Sequence, residues 1–183
     1  MVSEKVITKT EAVFSDDRKH RFLLRKEWDA KKLKATVIMT NPSMADMVIM
    51  DYTTLYIQNN LHRLDFGSFD IVNLVSKVTI KLDIKKDMDS PAIVEENTGY
   101  IVKSAEKADR VIVAWGKLGE NNKAIRVIQD RLLDSLRPFK DKLYVIAAER
   151  GDSGFHPLAP QIRFSWFLKK FDLPVLADGK PEK

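Results

Sequence analysis

The chain has 183 residues, of which 44% are apolar, and a net charge of +5 from 31 basic and 26 acidic side chains. This length predicts one domain with a sizeable core, and the mixed charges permit a polyanionic partner without requiring one. With no cysteine, three scattered histidines, no apolar run as long as a membrane span and no signal peptide, we expect a soluble cytoplasmic protein without disulfide, cofactor or bound metal.

The first predicted unit is an antiparallel hairpin over residues 6–28. Residues 6–14 and 21–28 are rich in β-branched, aromatic and aliphatic side chains, and the polar residues 15–18 between them favour a turn. We expect this hairpin to be an appendage of the main sheet.

Four short apolar segments in the rest of the chain predict the strands of a parallel sheet. They cover residues 35–40, 69–72, 110–114 and 143–148, and they are β-branched runs typical of strands that are buried on both faces. The residues near their C-terminal ends are Asn41-Pro42-Ser43, Asn73, Trp115-Gly116-Lys117 and His156-Pro157. Because the C-terminal ends of parallel strands share one edge, we expect these groups to meet around one ligand pocket.

Helices are predicted between these strands. Asp51 is a good N-cap for a helix over residues 52–64, and Ser90-Pro91 favours the start of a second helix, whose apolar stripe is interrupted by Asn97. A third helix contains Ile125, Ile128, Leu132 and Leu136, and a short aromatic helix is predicted over residues 162–171. The order of elements predicts an α/β fold, a three-layer α/β/α domain with a mostly parallel four-stranded sheet over residues 34–171. The domain spans residues 1–177, and 178–183 are expected to be a disordered tail.

Landmarks along almost the whole chain resemble one family. They include His20-Arg21-Phe22-Leu23-Leu24-Arg25, residues 39–46 (MTNPSMAD), Asp51-Tyr52-Thr53, Asn73-Leu74, Glu96-Asn97, Ala114-Trp115-Gly116 and His156-Pro157-Leu158. These segments resemble, in the same order, the bacterial and phage domain-of-unknown-function family sixteen-forty-three. That resemblance implies a family and no activity.

A more distant resemblance is to the uracil-DNA glycosylase superfamily. Its members carry a water-positioning Asp/Asn-Pro loop, a strand ending in a base-reading Asn, a strand ending in Trp-Gly, and a histidine loop. Asn41-Pro42, Asn73, Trp115-Gly116 and His156-Pro157 are similar to these landmarks in the same order. Ser43 stands where an aromatic residue is common, and Leu158 stands where serine is expected, so the resemblance does not imply uracil as the base.

This resemblance implies the hydrolysis of an N-glycosidic bond of a modified or deaminated base, with nucleic acid or a nucleotide as the partner. Asn41 would orient the attacking water and His156 would stabilise the departing base, as catalytic residues. Asn73 has the donor and the acceptor that the reading of a base edge requires. The remaining candidates are Pro42, Ser43, Asp51, Thr53, Asn97, Trp115, Gly116 and Phe155 for substrate binding, and Arg21, Arg25 and Lys117 for phosphate binding.

Other interpretations of the same residues stay open. Asn41 can simply end a turn, Asn73 can satisfy a loop, Trp115 can belong to the core and Asp51 can only cap a helix. Asp46 and Asp51 flank one loop, so they can hold Mg²⁺ for phosphoester or nucleotide hydrolysis. A binding module without turnover is the third hypothesis, because an asparagine at position 41 is not a general base.

Overall fold

The computed structural model describes residues 1–43, 47–84 and 86–173. Their strands are β1 (Lys9–Phe14), β2 (Arg21–Glu27), β3 (Leu33–Met39), β4 (Phe66–Asn73), β5 (Arg110–Val113), β6 (Leu143–Ala147) and β7 (Phe167–Lys170). The helices are α1 (Tyr52–Arg63), α2 (Pro91–Lys107) and α3 (Lys123–Ser135), with 3-10 helices at Leu118–Glu120 and Arg137–Lys142. The predicted α/β class is confirmed.

The described strands form one seven-stranded sheet in the order β1-β2-β4-β3-β5-β6-β7. The four central strands are parallel to one another, β2 is antiparallel to β4, and β7 is antiparallel to β6. The hairpin is therefore part of the main sheet and not an appendage, because β2 pairs along β4 from Leu24 to Glu27. The sheet is larger than the predicted four strands because β1 and β2 join it at one edge and β7 joins it at the other.

Both faces of the sheet are covered by helices. Ile57 and Leu61 of α1 pack against one face, and residues of α2 and α3 such as Ile101 and Leu132 pack against the other. The side chains of neighbouring strand residues alternate between these two cores, as Val37 and Ile38 do. Continuous apolar strands are required where both faces are buried, which is why these segments could be predicted.

The predicted aromatic helix over residues 162–171 is wrong. This segment forms turns up to Phe164 and then strand β7, whose residues pair with Tyr144 to Ala147 of β6. Without β7, the outer edge of β6 would leave its main-chain donors and acceptors unpaired, and aromatic residues suit a strand well. The pairing partner, and not the local sequence, decides the structure here.

The other predicted boundaries shift slightly or fall outside the described residues. The hairpin begins at Lys9 and not at residue 6, since Val6 and Ile7 are largely exposed. Asp51 and Ser90 cap α1 and α2 as predicted, each accepting a hydrogen bond from a main-chain amide in the first turn. The expected disordered tail 178–183 lies outside the described residues.

Candidate functional site

A cavity of about 380 Å³ opens at the edge of the sheet where the parallel strands end. Its walls come from the ends of β3 and β4, the start of α1, the segment after β4 and the loop after β6. The lining residues are Arg21, Met39, Asn41, Ser43, Asp51, Thr53, Thr54, Ile71, Asn73, Thr79, Ile80, His156 and Leu158. Asn41, Asn73 and His156, which are distant in sequence, therefore lie around one cavity.

Asn73 is the last residue of β4, and it pairs in register with Met39 at the end of β3. It is only 1% exposed, and neither its Nδ2 nor its Oδ1 has a hydrogen-bond partner in the described part of the chain. Leaving a buried polar group unpaired costs about 1 to 3 kcal/mol, and buried amides are usually satisfied. Asn73 thus presents an unused donor and an unused acceptor at the cavity wall.

The orientation of the Asn41 side chain is fixed by the main chain. Its Nδ2 donates to the carbonyl oxygen of Pro42 at 3.1 Å and to that of Thr79 at 3.0 Å. The opposite amide orientation would place Oδ1 against two carbonyl oxygens, which would repel it. Because both donors are engaged, Oδ1 is the side-chain atom of Asn41 that is left to accept a hydrogen bond from a ligand or a water.

His156 is held in one tautomer. The main-chain amide of Leu158 donates to its Nδ1 at 3.2 Å, and an atom that accepts from an N–H carries no proton itself. Burial lowers the pKa of His156 below its usual value, and the negative charge of Asp51 offsets this only in part. The ring is therefore neutral at pH 7, with its proton on Nε2, where it can donate to a ligand.

Asp51 has two roles in the structure. Its Oδ1 accepts a hydrogen bond from the main-chain amide of Thr54 at 2.7 Å, which caps α1, and its side chain also lines the cavity. Among the lining residues of the described chain it is the one carboxylate. Thr53 of the first turn of α1 and Ser43 after β3 line the same cavity. The sequence hypotheses of an N-cap and of a site residue are therefore compatible.

Gly116 supports His156 without lining the cavity. Its φ of +66° is in the left-handed region, and a Cβ at this position would lie 3.1 Å from the Cβ of His156. The loop that carries His156 therefore packs directly against the turn after β5, which only glycine allows without strain. Thr40 joins this turn to the end of β3, because its hydroxyl donates to the carbonyl oxygen of Trp115 at 3.4 Å.

Asn97 lies behind the site and not inside the cavity. It is 2% exposed on α2, and its Nδ2 donates to the main-chain carbonyl of Asn73 at 2.9 Å. It is not among the residues that line the cavity, because α2 covers the opposite face of the sheet. It holds the end of β4 in place and thereby positions Asn73.

Five further candidates do not line the cavity. Trp115 packs with the core on the α2 and α3 face, and Phe155 packs with the core on the α1 face. Pro42 is buried and contributes a carbonyl that accepts from Asn41, while Lys117 is exposed at the start of a 3-10 helix. Arg25, the fifth candidate, lies on β2 and does not line the cavity either.

Arg25 binds a carboxylate of the protein itself. Its Nε and Nη2 donate to both oxygens of Asp70 at 2.7 and 2.9 Å, and its Nη1 donates to Glu11. Burial alone would raise the pKa of the Asp70 carboxyl, but hydrogen bonds from Arg25 and Lys34 outweigh it and lower that pKa. Of the three predicted phosphate-binding residues, only Arg21, which is 2% exposed, lines the cavity.

Sequence reasoning missed the segment after β4. Thr79 and Ile80 line the cavity, and Thr79 also fixes Asn41 through its carbonyl. The signal for this segment was weak, because residues 76–80 contain no motif and are held by main-chain hydrogen bonds from Val78 to Lys19 and from Thr79 to Pro42. That Leu158 lines the cavity could have been predicted, because it lies two residues after His156.

Three features of the described chain bear on the alternative functions. In the described ranges, no three acidic, histidine or cysteine side chains lie close enough to hold a metal ion, and Asp46 lies outside those ranges. Of the helices that the structure describes, none has both the length and the apolar character needed to cross a membrane. A second, larger groove of about 480 Å³ between α2 and α3 is mostly aliphatic and contains none of the predicted site residues.

Comparison with known proteins gives one match. Residues 21–158 match the model of the family described as Protein of unknown function (DUF1643). The chain belongs to this family. The matched range begins at Arg21 and ends at Leu158, so it includes every residue that lines the cavity. No curated protein and no solved structure matches the chain.

Proposed function

We propose that this member of the DUF1643 family binds a nucleobase in the cavity at the strand ends and hydrolyses the N-glycosidic bond of a modified or deaminated base. The observation that carries the proposal is Asn73, with a buried donor and a buried acceptor that no described residue satisfies. A planar base edge with an adjacent acceptor and donor satisfies both atoms at once. The stability lost by leaving them unpaired is then recovered on binding.

The size and walls of the cavity fit this ligand class. A volume of about 380 Å³ lies within the range of about 300 to 1,000 Å³ typical of small-molecule sites. Met39, Ile71 and Leu158 supply aliphatic surface against which the faces of a base can pack. Arg21, which is 2% exposed, adds a guanidinium group to the lining.

The polar groups of the cavity match the steps of glycoside hydrolysis. A water oxygen bonds to the anomeric carbon, the bond from that carbon to the base nitrogen breaks, and the electron pair leaves with the base. The Oδ1 of Asn41 accepts a hydrogen bond from the water and orients it, and the carboxylate of Asp51 accepts its proton. The Nε2–H of His156 donates to the departing base, a contribution of about 3 to 4 kcal/mol by analogy with oxyanion-hole donors.

The resemblance to the uracil-DNA glycosylase superfamily supports the same reaction class. Helices on both faces of a sheet with four parallel central strands fit the three-layer fold expected from that resemblance. Ser43 and Leu158, at two of the positions where the chain departs from the superfamily pattern, both line the cavity. A base other than uracil is therefore the proposed substrate, and the absence of cysteine fits action in the cytoplasm.

The test is a cleavage assay on a panel of oligonucleotides that each carry one deaminated or modified base. We expect alkali-labile abasic sites with at least one substrate. Activity should be lost in Asn73→Leu and His156→Gln. It should also be lost in Asp51→Asn, which keeps the helix cap but removes the carboxylate proposed as the general base. Asn59→Ala, an exposed position on α1, is the control. Release of base by wild type and by all three site variants alike would refute the assignment.

A binding module without turnover is the second candidate function. It is favoured by Asn41, because a side-chain amide is too weakly basic to remove a proton from water. This candidate predicts stabilisation by a nucleotide of about 2.7 kcal/mol at a hundredfold excess over Kd, with no product on any substrate. The stabilisation should disappear in Asn73→Leu under both candidates, so product formation alone separates them.

A further inference from the structure

Three aromatic side chains form a continuous row on the surface next to the cavity. The rings of Tyr52 and Tyr56 stack with centroids 6.4 Å apart, and the ring of Phe164 meets Tyr56 edge to face at 5.6 Å. Tyr52 is 72% exposed and Phe164 is 64% exposed. We name Tyr52, Tyr56 and Phe164 the aromatic row. Large rings so exposed next to one another are a feature of binding surfaces.

The aromatic row begins at the mouth of the cavity. Tyr52 is the first residue of α1, and its neighbours Asp51 and Thr53 both line the cavity. The row then follows α1 to Tyr56 and crosses to Phe164, in the turns that precede β7. A chain molecule with one unit in the cavity would therefore place its next units along the row.

Hydrogen bonds fix the two segments that carry the aromatic row. Asn60 is 1% exposed and donates from Nδ2 to the carbonyl of Arg163 at 2.9 Å, while its Oδ1 accepts from the amide of Trp166 at 3.1 Å. Arg63 donates to the carbonyl of Phe164 at 2.5 Å. These hydrogen bonds join α1 to the segment before β7, so little ordering is needed when a partner binds.

The two segments that carry the aromatic row have no acidic residue of their own, although Asp51, Asp65, Asp152 and Asp172 flank them. Residues 52–64 and 153–171 contain no aspartate or glutamate, although the chain has 26 of them. Both stretches carry arginine: Arg63 at the end of α1, and Arg163, whose guanidinium lies over the Phe164 ring at 5.3 Å. In the described ranges neither arginine forms an ion pair with a carboxylate. The surface thus combines exposed rings with unopposed positive charge.

We infer that the aromatic row binds single-stranded nucleic acid, on the side of the strand that adjoins the nucleotide held in the cavity. Unpaired bases stack on exposed rings whatever their sequence, and arginine binds the phosphates between them. A duplex is not expected to bind the aromatic row, because its bases stack on each other and their faces are not accessible to the rings. This inference deepens the proposed function, since it names the form of the substrate and rests on a nucleobase as the ligand of the cavity.

The experiment measures the affinity of the full chain for fluorescent oligothymidylate and oligoadenylate of about ten nucleotides, and for the matching oligouridylate, by anisotropy. Tyr52→Ala and Phe164→Ala should each weaken binding by about 5- to 150-fold, the loss typical of one base stack. Arg163→Ala should also lower the slope of log affinity against log salt by about 0.7, the value for one phosphate contact on a single strand. Arg110→Ala is the matched control, because Arg110 also lies over a ring, that of Tyr144 at 5.0 Å, at the start of β5.

The outcomes separate the row from the cavity. Asn73→Leu should abolish binding of a free nucleobase, whereas Tyr52→Ala and Phe164→Ala should weaken binding of the oligonucleotides. If no base enters the cavity but the row variants still lose oligonucleotide affinity, the proposed function fails and the row stands as a nucleic-acid surface. The inference is overturned if wild type binds none of the three oligonucleotides, if duplex binds as tightly as single strand, or if Arg110→Ala loses as much as Arg163→Ala.

Discussion

Asn97 donates a 2.9 Å hydrogen bond to the main-chain carbonyl of Asn73 from the face of the sheet opposite the cavity. The side chain of Asn73 lines the cavity, while its carbonyl is bound from behind by α2. A buried residue outside the cavity therefore fixes the position of the group proposed to read the base.

Removing this support should weaken ligand binding at a distance. Asn97→Ala leaves the Asn73 carbonyl without its side-chain donor, which should cost about 1 to 3 kcal/mol of folding free energy and lower the affinity for the ligand as β4 loses its fixed end. Urea unfolding and calorimetric titration measure the two effects. Thr98→Ala is the control, because the Thr98 hydroxyl bonds only within its own helix, to Val94. An unchanged affinity in Asn97→Ala would show that Asn97 serves stability alone.

The unpaired amide of Asn73 should reduce stability in the free protein. Asn73→Leu removes two unsatisfied buried atoms at nearly constant volume, so we expect the free energy of unfolding to rise by about 1 to 2 kcal/mol while ligand binding is lost. Urea denaturation with comparison of the midpoints measures the change.

Asn60 supplies the matched control for this substitution. It is as buried as Asn73, but its amide bonds to the carbonyls of Tyr56 and Arg163 and to the amide of Trp166. Asn60→Leu breaks these bonds and should destabilise the protein by about 1 to 3 kcal/mol. Equal destabilisation by Asn60→Leu and Asn73→Leu would mean that Asn73 is satisfied within the folded chain.

The low pKa of His156 predicts a loss of stability in acid. Burial keeps the pKa of the folded state below the usual 6.5, so the unfolded chain binds more protons in that range and stability falls as pH drops below about 6.5. Urea unfolding at a series of pH values from 7.5 downward should show a steeper decline in wild type than in His156→Gln. The two other histidines are common to both proteins and cancel in the difference. Parallel curves would contradict a neutral, buried ring.

Substitution of Gly116 should displace the loop that carries His156. Gly116→Ala places a Cβ 3.1 Å from the Cβ of His156, in a backbone with a φ of +66°. The left-handed backbone alone costs an alanine about 1 to 2 kcal/mol of stability. We expect a fall in ligand affinity in addition to this loss of stability. Gly151→Ala is the control, since its φ is +97° but nothing lies within 4 Å of the added Cβ. If both variants bind the ligand like wild type, the contact with Gly116 does not position His156.

The parts of the fold that could be predicted are those determined by residues close together in the sequence. Continuous β-branched runs identified β3, β4, β5 and β6, because strands buried on both faces need apolar residues throughout. Asp51 and Ser90 identified the starts of α1 and α2, because their side chains accept the first free amides. The shared edge of parallel strands then gave the position of the cavity.

The errors concern residues whose role depends on a distant partner. Arg25 looked like a phosphate ligand, but it lies opposite Asp70 in the pairing of β2 with β4, and that carboxylate is 45 residues away. Residues 167–170 became a strand because β6 offers them a free edge. Asn97 was expected to contact the ligand, but its side chain bonds to a main-chain carbonyl at the end of β4, 24 residues earlier in the chain. No local pattern reveals such pairings.

The most direct test of the nucleobase site is the side-chain amide signal of Asn73 in isotope-labelled protein, followed by NMR while free nucleobases and nucleosides are added. We expect a saturable shift of the Asn73 amide with at least one ligand, while the amide of Asn60, which already has protein partners, stays in place. A ligand that binds with saturation and leaves the Asn73 signal unmoved, or a panel in which no ligand moves it, would rule out Asn73 as the group that reads a nucleobase.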